Sequence, residues 1–379
     1  MKHYHYIFAG SGLAALMTVY KMAVSGKFAD KHILVIDPDT KQANDRTWCY
    51  WEKGSGNWDA IVHRKWNTAL FANEQFKRKL NFDGYQYKMV RGKDFYNFVF
   101  DEISKHPNIN IVRQKVSAFK DLDTYVEVKA DNQEYTCDTF FNSIYCTALP
   151  AAQSNYPVLH QHFIGWHIKT DTPAFDAAVP TFMDFSIPQR GNTRFMYVLP
   201  FSPTEAIVEY TLFSKDLLPE AEYETAIKDY LTEKGISSYE IVDKERGSIP
   251  MTSYKFWESN TRNIINIGSA GGWTKASTGY TFRNSDKRSG QLIDTLLKGT
   301  DFTIYRKKSK FWFYDLLLLD ILARTNEKGS SIFSAMFRKG DAAPIFKFLD
   351  EETSLAEDLS VIWRCPKGLF IKALLKRLF

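Results

Sequence analysis

Two short glycine-bearing stretches, far apart in the chain, hold residue types suited to binding a nucleotide. The first reads Gly10-Ser11-Gly12-Leu13-Ala14-Ala15, the G-x-G-x-x-A form of a phosphate-binding turn. Its first glycine permits the tight turn, and the second leaves no side chain between the backbone and a pyrophosphate. The small Ala15 lets a helix pack on a strand. A helix starting at Leu13 would turn its free amides and the positive end of its dipole toward phosphate. Asp37 closes the next apolar run, where a carboxylate accepts hydrogen bonds from a ribose; its charge argues against a 2′-phosphorylated dinucleotide. The second stretch, IINIGSAGGWTKASTG over residues 264–279, contributes Gly268, Ser269 and Gly271, then Gly279 beside Tyr280. A second glycine turn returning to one cofactor suits FAD better than NAD, because the flavin extends well beyond the ADP part. A helix start near Thr278-Gly279-Tyr280 would aim its dipole at the flavin's pyrimidine edge and favour an anionic reduced flavin.

These turns need strands and helices to hold them. Residues 4–9 (YHYIFA) predict a strand, 13–25 a helix closing at Gly26, and 32–37 a second strand stopped by Pro38, together a βαβ unit. More strand-like runs lie between 110 and 147. From about residue 158 the runs FIGWHIKT, PTFMDFSI, TRFMYVLPF and AIVEYTLF, separated by Pro, Gly and Asn, predict an antiparallel sheet. Residues 218–234 predict a helix, 263–268 a late buried strand, and the pattern is helical after 300. The expected fold class is α/β: a Rossmann-like FAD-binding domain of the glutathione-reductase type, split into 1–157 and 246–300. An antiparallel-sheet substrate domain (158–245) is inserted, and a helical, basic region (301–379) follows.

Composition narrows the function classes. Hydrophobic residues at 44% and charged residues at 25% exclude a disordered chain. The formal charge is +5, and residues 306–379, with 14 Lys/Arg against 9 Asp/Glu, account for all of it. A nucleic-acid binder would show a far more concentrated basic stripe, so no nucleic-acid partner is expected. A mildly basic apolar tail suits an anionic membrane surface. Ile371, Leu374, Leu375 and Leu378 share one helical face, with Lys372 and Arg377 elsewhere. That periodicity serves equally a helix lying in the membrane interface and one docked on the protein's own core. The four cysteines form no C-x-x-C pair, so no metal site is expected, and they suit a reducing compartment. The chain opens on a strand with no room for a signal peptide, and no apolar stretch nears the ~20 residues of a spanning helix. The expected location is cytoplasmic, at most peripheral to a membrane.

A longer set of motifs is distinctive in its order. It runs from Asp45-Arg46-Thr47-Trp48-Cys49-Tyr50-Trp51 through Phe163-Ile164-Gly165-Trp166 and Pro180-Thr181-Phe182-Met183-Asp184 to RFMYVLPFSPT at 194–204. Ile207-Val208-Glu209-Tyr210-Thr211, Gly247-Ser248-Ile249-Pro250 and Ala276-Ser277-Thr278-Gly279-Tyr280 follow. In these motifs the chain resembles the flavin-dependent lycopene cyclases of carotenoid-making bacteria over nearly its whole length. The resemblance implies bound FAD that must be reduced, with NAD(P)H as a candidate indirect reductant, and lycopene, a C40 polyene, as substrate. It implies an acid-catalysed isomerisation: a proton adds to a terminal double bond, the next alkene attacks the cation, and a proton leaves. The family's essential acid lies in the strand after the S-P-T turn, which implies Glu209 here, among apolar neighbours that favour a neutral carboxyl. The family often has a second acid directly after it; this chain has Tyr210, so Asp184 on a neighbouring predicted strand becomes the candidate second carboxyl. Arg46 is expected near the flavin and Trp48 in the pocket lining, while Trp166, Phe182, Phe195 and Tyr197 would form an aromatic face for a rigid polyene. Asp350-Glu351-Glu352 looks like the acidic stretch of plant cyclases but reads as an ordinary helix start. The alternative is a redox FAD enzyme of the same fold: a hydroxylase, halogenase or isoprenoid reductase. Ring number, β against ε ring position, reductant and oligomeric state are not written in the sequence.

Overall fold

The strand Lys2–Ala9 buries Ile7, Phe8 and Ala9, as a central strand covered on both faces must. It lies parallel between Ile33–Ile36 and Gln133–Asn142, and the sheet continues through Ile109–Val112 on one side. On the other side Val126–Ala130 and Val116–Asp121 add antiparallel strands, and the late strand Ile264–Asn266 pairs parallel with Gln133–Asn142. The helix Leu13–Ser25 ends at Gly26, whose φ of 66° is the left-handed cap that glycine adopts without strain. Lys21 on this helix pairs at 2.9 Å with Asp286 on the helix Phe282–Lys298, tying the first glycine turn to the second. This computed structural model describes residues 1–299, 301–304 and 309–378. The expected boundary at Thr300, the basic residues Arg306, Lys307 and Lys308, and Phe379 lie outside them.

A second sheet has seven strands in the order Tyr239–Met251, Leu159–Thr170, Glu205–Ser214, Thr193–Ser202, Thr181–Asp184, Thr68–Ala72 and Lys77–Asn81. Its pairs are antiparallel except Thr181–Asp184 with Thr68–Ala72, which run parallel. The sheets therefore do not divide at residues 157 and 245 as expected. The hairpin of Thr68–Ala72 and Lys77–Asn81 joins the second sheet because Ala69, Phe71 and Leu80 bury in that sheet's core. The strand Tyr239–Met251 runs unbroken across the expected boundary. A three-stranded sheet (Thr47–Lys53, Tyr85–Arg91 and Val62–Trp66) is formed by the chain between the first sheet's strands Ile33–Ile36 and Ile109–Val112, and in sequence it encloses the hairpin given to the second sheet.

Side chains of the seven-stranded sheet alternate between two cores. On the back face Trp166, Ile168, Val208, Tyr210 and Leu212 pack with Ile227 and Leu231 of the helix Glu220–Glu233. On the front face Phe182, Phe195, Ile207 and Phe213 join Trp51 and Tyr87 of the small sheet. Leu319, Phe333 and Phe346, from the helices Lys310–Arg324, Gly329–Phe337 and Ala343–Leu349, complete that core. Each such side chain, fully buried, contributes about 1.5–3 kcal/mol, so the C-terminal helices form one wall of the front core. The last helix, Lys367–Leu378, buries Ala373, and Arg377 forks onto buried Asp320 with bonds of 2.6 and 2.7 Å. That ion pair turns Arg377 and Leu374 inward and leaves Ile371, Leu375 and Leu378 exposed, splitting the expected apolar face. Among the described residues no helix is long and apolar enough to cross a membrane.

Candidate active site

A cavity of about 420 Å³ runs from the first glycine turn to the front of the seven-stranded sheet. At the end that meets the first glycine turn, Gly12 precedes the helix Leu13–Ser25, which carries no acidic residue in its first turn. A Cβ on Gly12 would meet nothing within 4 Å, so the backbone there stands open to the cavity, with Leu13 and Ala14 beside it in the wall. Gly10 (φ 97°) does not line the cavity; a Cβ there would fall 2.3 Å from Ser143 Oγ, so the turn itself requires glycine. Ser11 and Asp37 face each other inside the protein. Asp37 Oδ2 accepts bonds from Ser11 N (2.5 Å) and Ser11 Oγ (2.9 Å), and Oδ1 accepts one from Asp39 N. The carboxylate expected on a ribose thus braces the turn from behind.

Gly268 and Ser269 line the opposite wall, whereas Gly271 lies outside it, where a Cβ would come 2.2 Å from Asn266 O. Gly279 (φ 73°) and Tyr280 also line the cavity. The following helix starts at Phe282, later than expected, because the left-handed backbone of Gly279 cannot enter a right-handed helix. Arg46 and Trp48 line the cavity, with Arg46 Nη1 donating to Asp45 O at 2.5 Å. Among the described residues three buried polar atoms in this wall have no partner: Gln161 Oε1, Thr278 Oγ1 and Ser285 Oγ. Each such atom costs about 1–3 kcal/mol if left unsatisfied, so three around one cavity suit a polar ligand. Together with the open backbone at Gly12, they fit the extended dinucleotide that the two turns imply.

The other end of the cavity holds an acid. In the strand Glu205–Ser214, Ile207, Glu209 and Phe213 line the cavity while Val208, Tyr210 and Leu212 belong to the back core. Burial pushes the Glu209 carboxyl up to about 8, against the Thr211 hydroxyl that donates to its Oε1; nearby Glu245 pushes it further up. Tyr197 is its cross-strand partner on one side and Gly165 on the other. The Tyr87 hydroxyl lies 2.6 Å from that of Tyr197 and 3.1 Å from that of Tyr280, and burial holds all three phenols neutral. Phe163, Phe182, Phe195 and Phe213 complete an aromatic wall. The arrangement offers a carboxylic acid that stays protonated at neutral pH, facing π surfaces that stabilise a cation.

Asp184 is not brought to this site. Its carboxylate points to the back face, bonded to Ser186 N (2.9 Å), Ser186 Oγ (2.5 Å), Tyr230 Oη (3.0 Å) and Lys234 Nζ (3.4 Å). Burial pushes it up, but Ser186, Lys234 and Tyr230 hold it below the usual carboxylate range. Trp166 also belongs to the back face, since it is one residue out of phase with Phe163 and Gly165. The 350–352 acids bind the tail to the core: Glu351 and Asp315 pair with buried Lys275, and Glu352 with Lys287. The sequence reading missed Thr47, Gln161, Ser285 and above all Glu245, which lines the cavity beside Glu209. Its signal was the alternation Glu245, Gly247, Ile249 leading into the Ile249-Pro250 motif.

The profile of a family described as "Lycopene cyclase protein" matches residues 6–375. A protein from a Paracoccus strain named lycopene beta-cyclase is 34% identical over 127 residues, and the match spans 32% of each chain. One of the same name from Pantoea ananas is 26% identical over 298 residues, covering 74% of this chain and 71% of that one. A flavoprotein/dehydrogenase from Cytophaga hutchinsonii superposes with a TM-score of 0.61 at 13% identity, covering 99% and 100% of the two chains. That likeness is one of fold.

Proposed function

From the premise that the chain belongs to the lycopene cyclase family, we propose that it is a lycopene beta-cyclase, closing the acyclic ends of a C40 polyene without net redox change. The observation that carries this reading is Glu209: a carboxyl held neutral up to about pH 8, in an aromatic wall of the cavity that reaches the glycine turns. The Glu209 O–H bond breaks as a C–H bond forms on the terminal alkene. The resulting cation takes the π pair of the next alkene to close the ring, and a ring proton passes to water as its C–H electron pair becomes the ring double bond. Burial serves the first step by keeping the acid charged with its proton. Tyr197, Phe195 and Phe213 line the cavity with Glu209, where aromatic rings can stabilise a cation, and the neutral tyrosine triad offers no phenolate to trap it.

The cavity's donor set fits FAD: Gly12, Leu13 and Ala14 at the phosphates, and Arg46, Thr278, Gly279, Tyr280, Gly268 and Ser269 along the flavin part. When bound and reduced, FAD supplies negative charge beside the cation. NAD(P)H, directly or through a partner, would supply the reducing equivalents once and not per ring. Membrane contact is supported by the exposed stripes Leu355, Leu359 and Trp363, then Ile371, Leu375 and Leu378, with Lys367 over the Trp363 ring at 3.5 Å.

The test is anaerobic incubation with lipid-dispersed lycopene and chemically reduced FAD. Cyclic isomers formed without consumption of reduced flavin support the cyclase. Oxygenated or hydrogenated products, or stoichiometric flavin oxidation, would move the protein to the redox class.

A further inference from the structure

Cyclisation leaves Glu209 as a carboxylate in an apolar wall after every ring, and something must return its proton. Gly165 lies opposite Glu209 on one neighbouring strand and opposite Glu245 on the other. The two glutamates therefore share the front face, about 10 Å apart at their Cα atoms, with no side chain between them. Glu245 also lines a second cavity of about 210 Å³ behind the rim of the first, room for several waters at ~30 Å³ each. Among the described residues only Thr47, Ile207 and Glu245 line both cavities, and of these only Glu245 has a titratable side chain. The second cavity is polar. His63, Arg64 and Arg91 face it from the small sheet, Asp243 from the strand of Glu245, and His167 from the next strand, bonded at 2.6 Å to Glu205. Glu245 Oε1 accepts the Thr47 amide at 3.0 Å, which fixes the carboxyl at the junction, with Asp45 and Arg46 adjacent.

We propose that Glu245 relays protons from the second cavity to Glu209, recharging the acid between rings. The inference rests on the cyclase reading. Per ring one proton leaves Glu209 for carbon and one passes from carbon to water, so uptake of one proton from water through the second cavity and Glu245 balances with no oxidant or reductant. Glu245 acts through Glu209 and is a positioning and relay residue. Burial raises its carboxyl above the ordinary value, as a relay working near neutrality needs.

The experiment is rapid-mixing kinetics of the FAD-reduced enzyme. In Glu245→Gln the first ring should form at the wild-type rate on the resident proton of Glu209, and later rings about tenfold more slowly or worse. Added formate, a small proton carrier, should restore the later rings, and Glu245→Asp should retain most of the rate. His167→Leu, which alters only the second cavity, should give the same burst if Glu245→Gln fails to fold. First and later rings slowed equally, or no slowing at all, would overturn the relay. An activity-free reading is the infrared titration of the Glu209 carboxyl, whose midpoint should fall in Glu245→Gln because a like charge is removed; an unchanged midpoint overturns the coupling. Failure of wild type to form any ring would instead sink the cyclase reading itself.

Discussion

The two faces of the seven-stranded sheet each bury a carboxyl, and the two carboxyls are driven in opposite directions. Glu209, on the front, has one hydroxyl donor, a glutamate neighbour and an aromatic cavity, and its carboxyl is pushed up to about 8. Asp184, on the back, has four donors, one of them a lysine, and stays below the usual carboxylate range. One sheet thus holds a proton donor on one face, partly buried at a cavity, and a fully buried structural anion on the other. Donor count, set by which element covers each face, decides between them: the helix Glu220–Glu233 brings Tyr230 to Asp184, and Lys234 follows it, while a cavity fronts Glu209.

The sharpest challenge to this contrast is the pair of amide variants. Glu209→Gln should lower kcat by about 10²–10⁴-fold with flavin still bound, as loss of a general acid does. Asp184→Asn should leave kcat per folded molecule within about twofold but cost roughly 1–3 kcal/mol in chemical denaturation, because its donors lose a charged acceptor. Equal losses of kcat in both variants would erase the distinction between the faces. Next in size, the rate should decline as pH rises through about 8, and the same ionisation predicts a stability effect. A carboxyl whose folded pKa is raised binds more protons folded than unfolded, so stability falls between the ordinary 4.5 and about 8. Glu209→Gln should therefore melt a few degrees above wild type at pH 9 and alike at pH 4. The smallest effect concerns a distant surface: Leu375→Glu with Leu378→Glu should weaken binding to anionic vesicles severalfold and leave the melting temperature unchanged, since both side chains are exposed.

Much of the front face was legible one residue at a time. Glycine spacing located Gly12, Gly268 and Gly279 in the cavity wall, the last two with the left-handed backbone that favours glycine, and the strand alternation put Glu209 in register with Ile207 and Phe213. Alternation alone does not say which face is the front, so Trp166 and Asp184 were assigned to the wrong one. The linear pattern offers Asp37 to a ligand because it does not reveal that Ser11, folded back across the turn, donates two hydrogen bonds to that carboxylate. Glu245 escaped because its partner Glu209 is remote in sequence and meets it only through the pairing of both strands with Leu159–Thr170.

The sequence by itself determined the βαβ unit, the two glycine turns, the strand run and the acid within it, because each depends on residues a few positions apart. Only the tertiary structure decided that the hairpin of Thr68–Ala72 and Lys77–Asn81 joins the second sheet, that Arg377 turns inward to Asp320, and that Glu209 faces Glu245 while Asp184 faces Lys234. Those outcomes depend on long-range pairing and on the few donors each buried charge can reach, and both become fixed only when the chain has closed on itself.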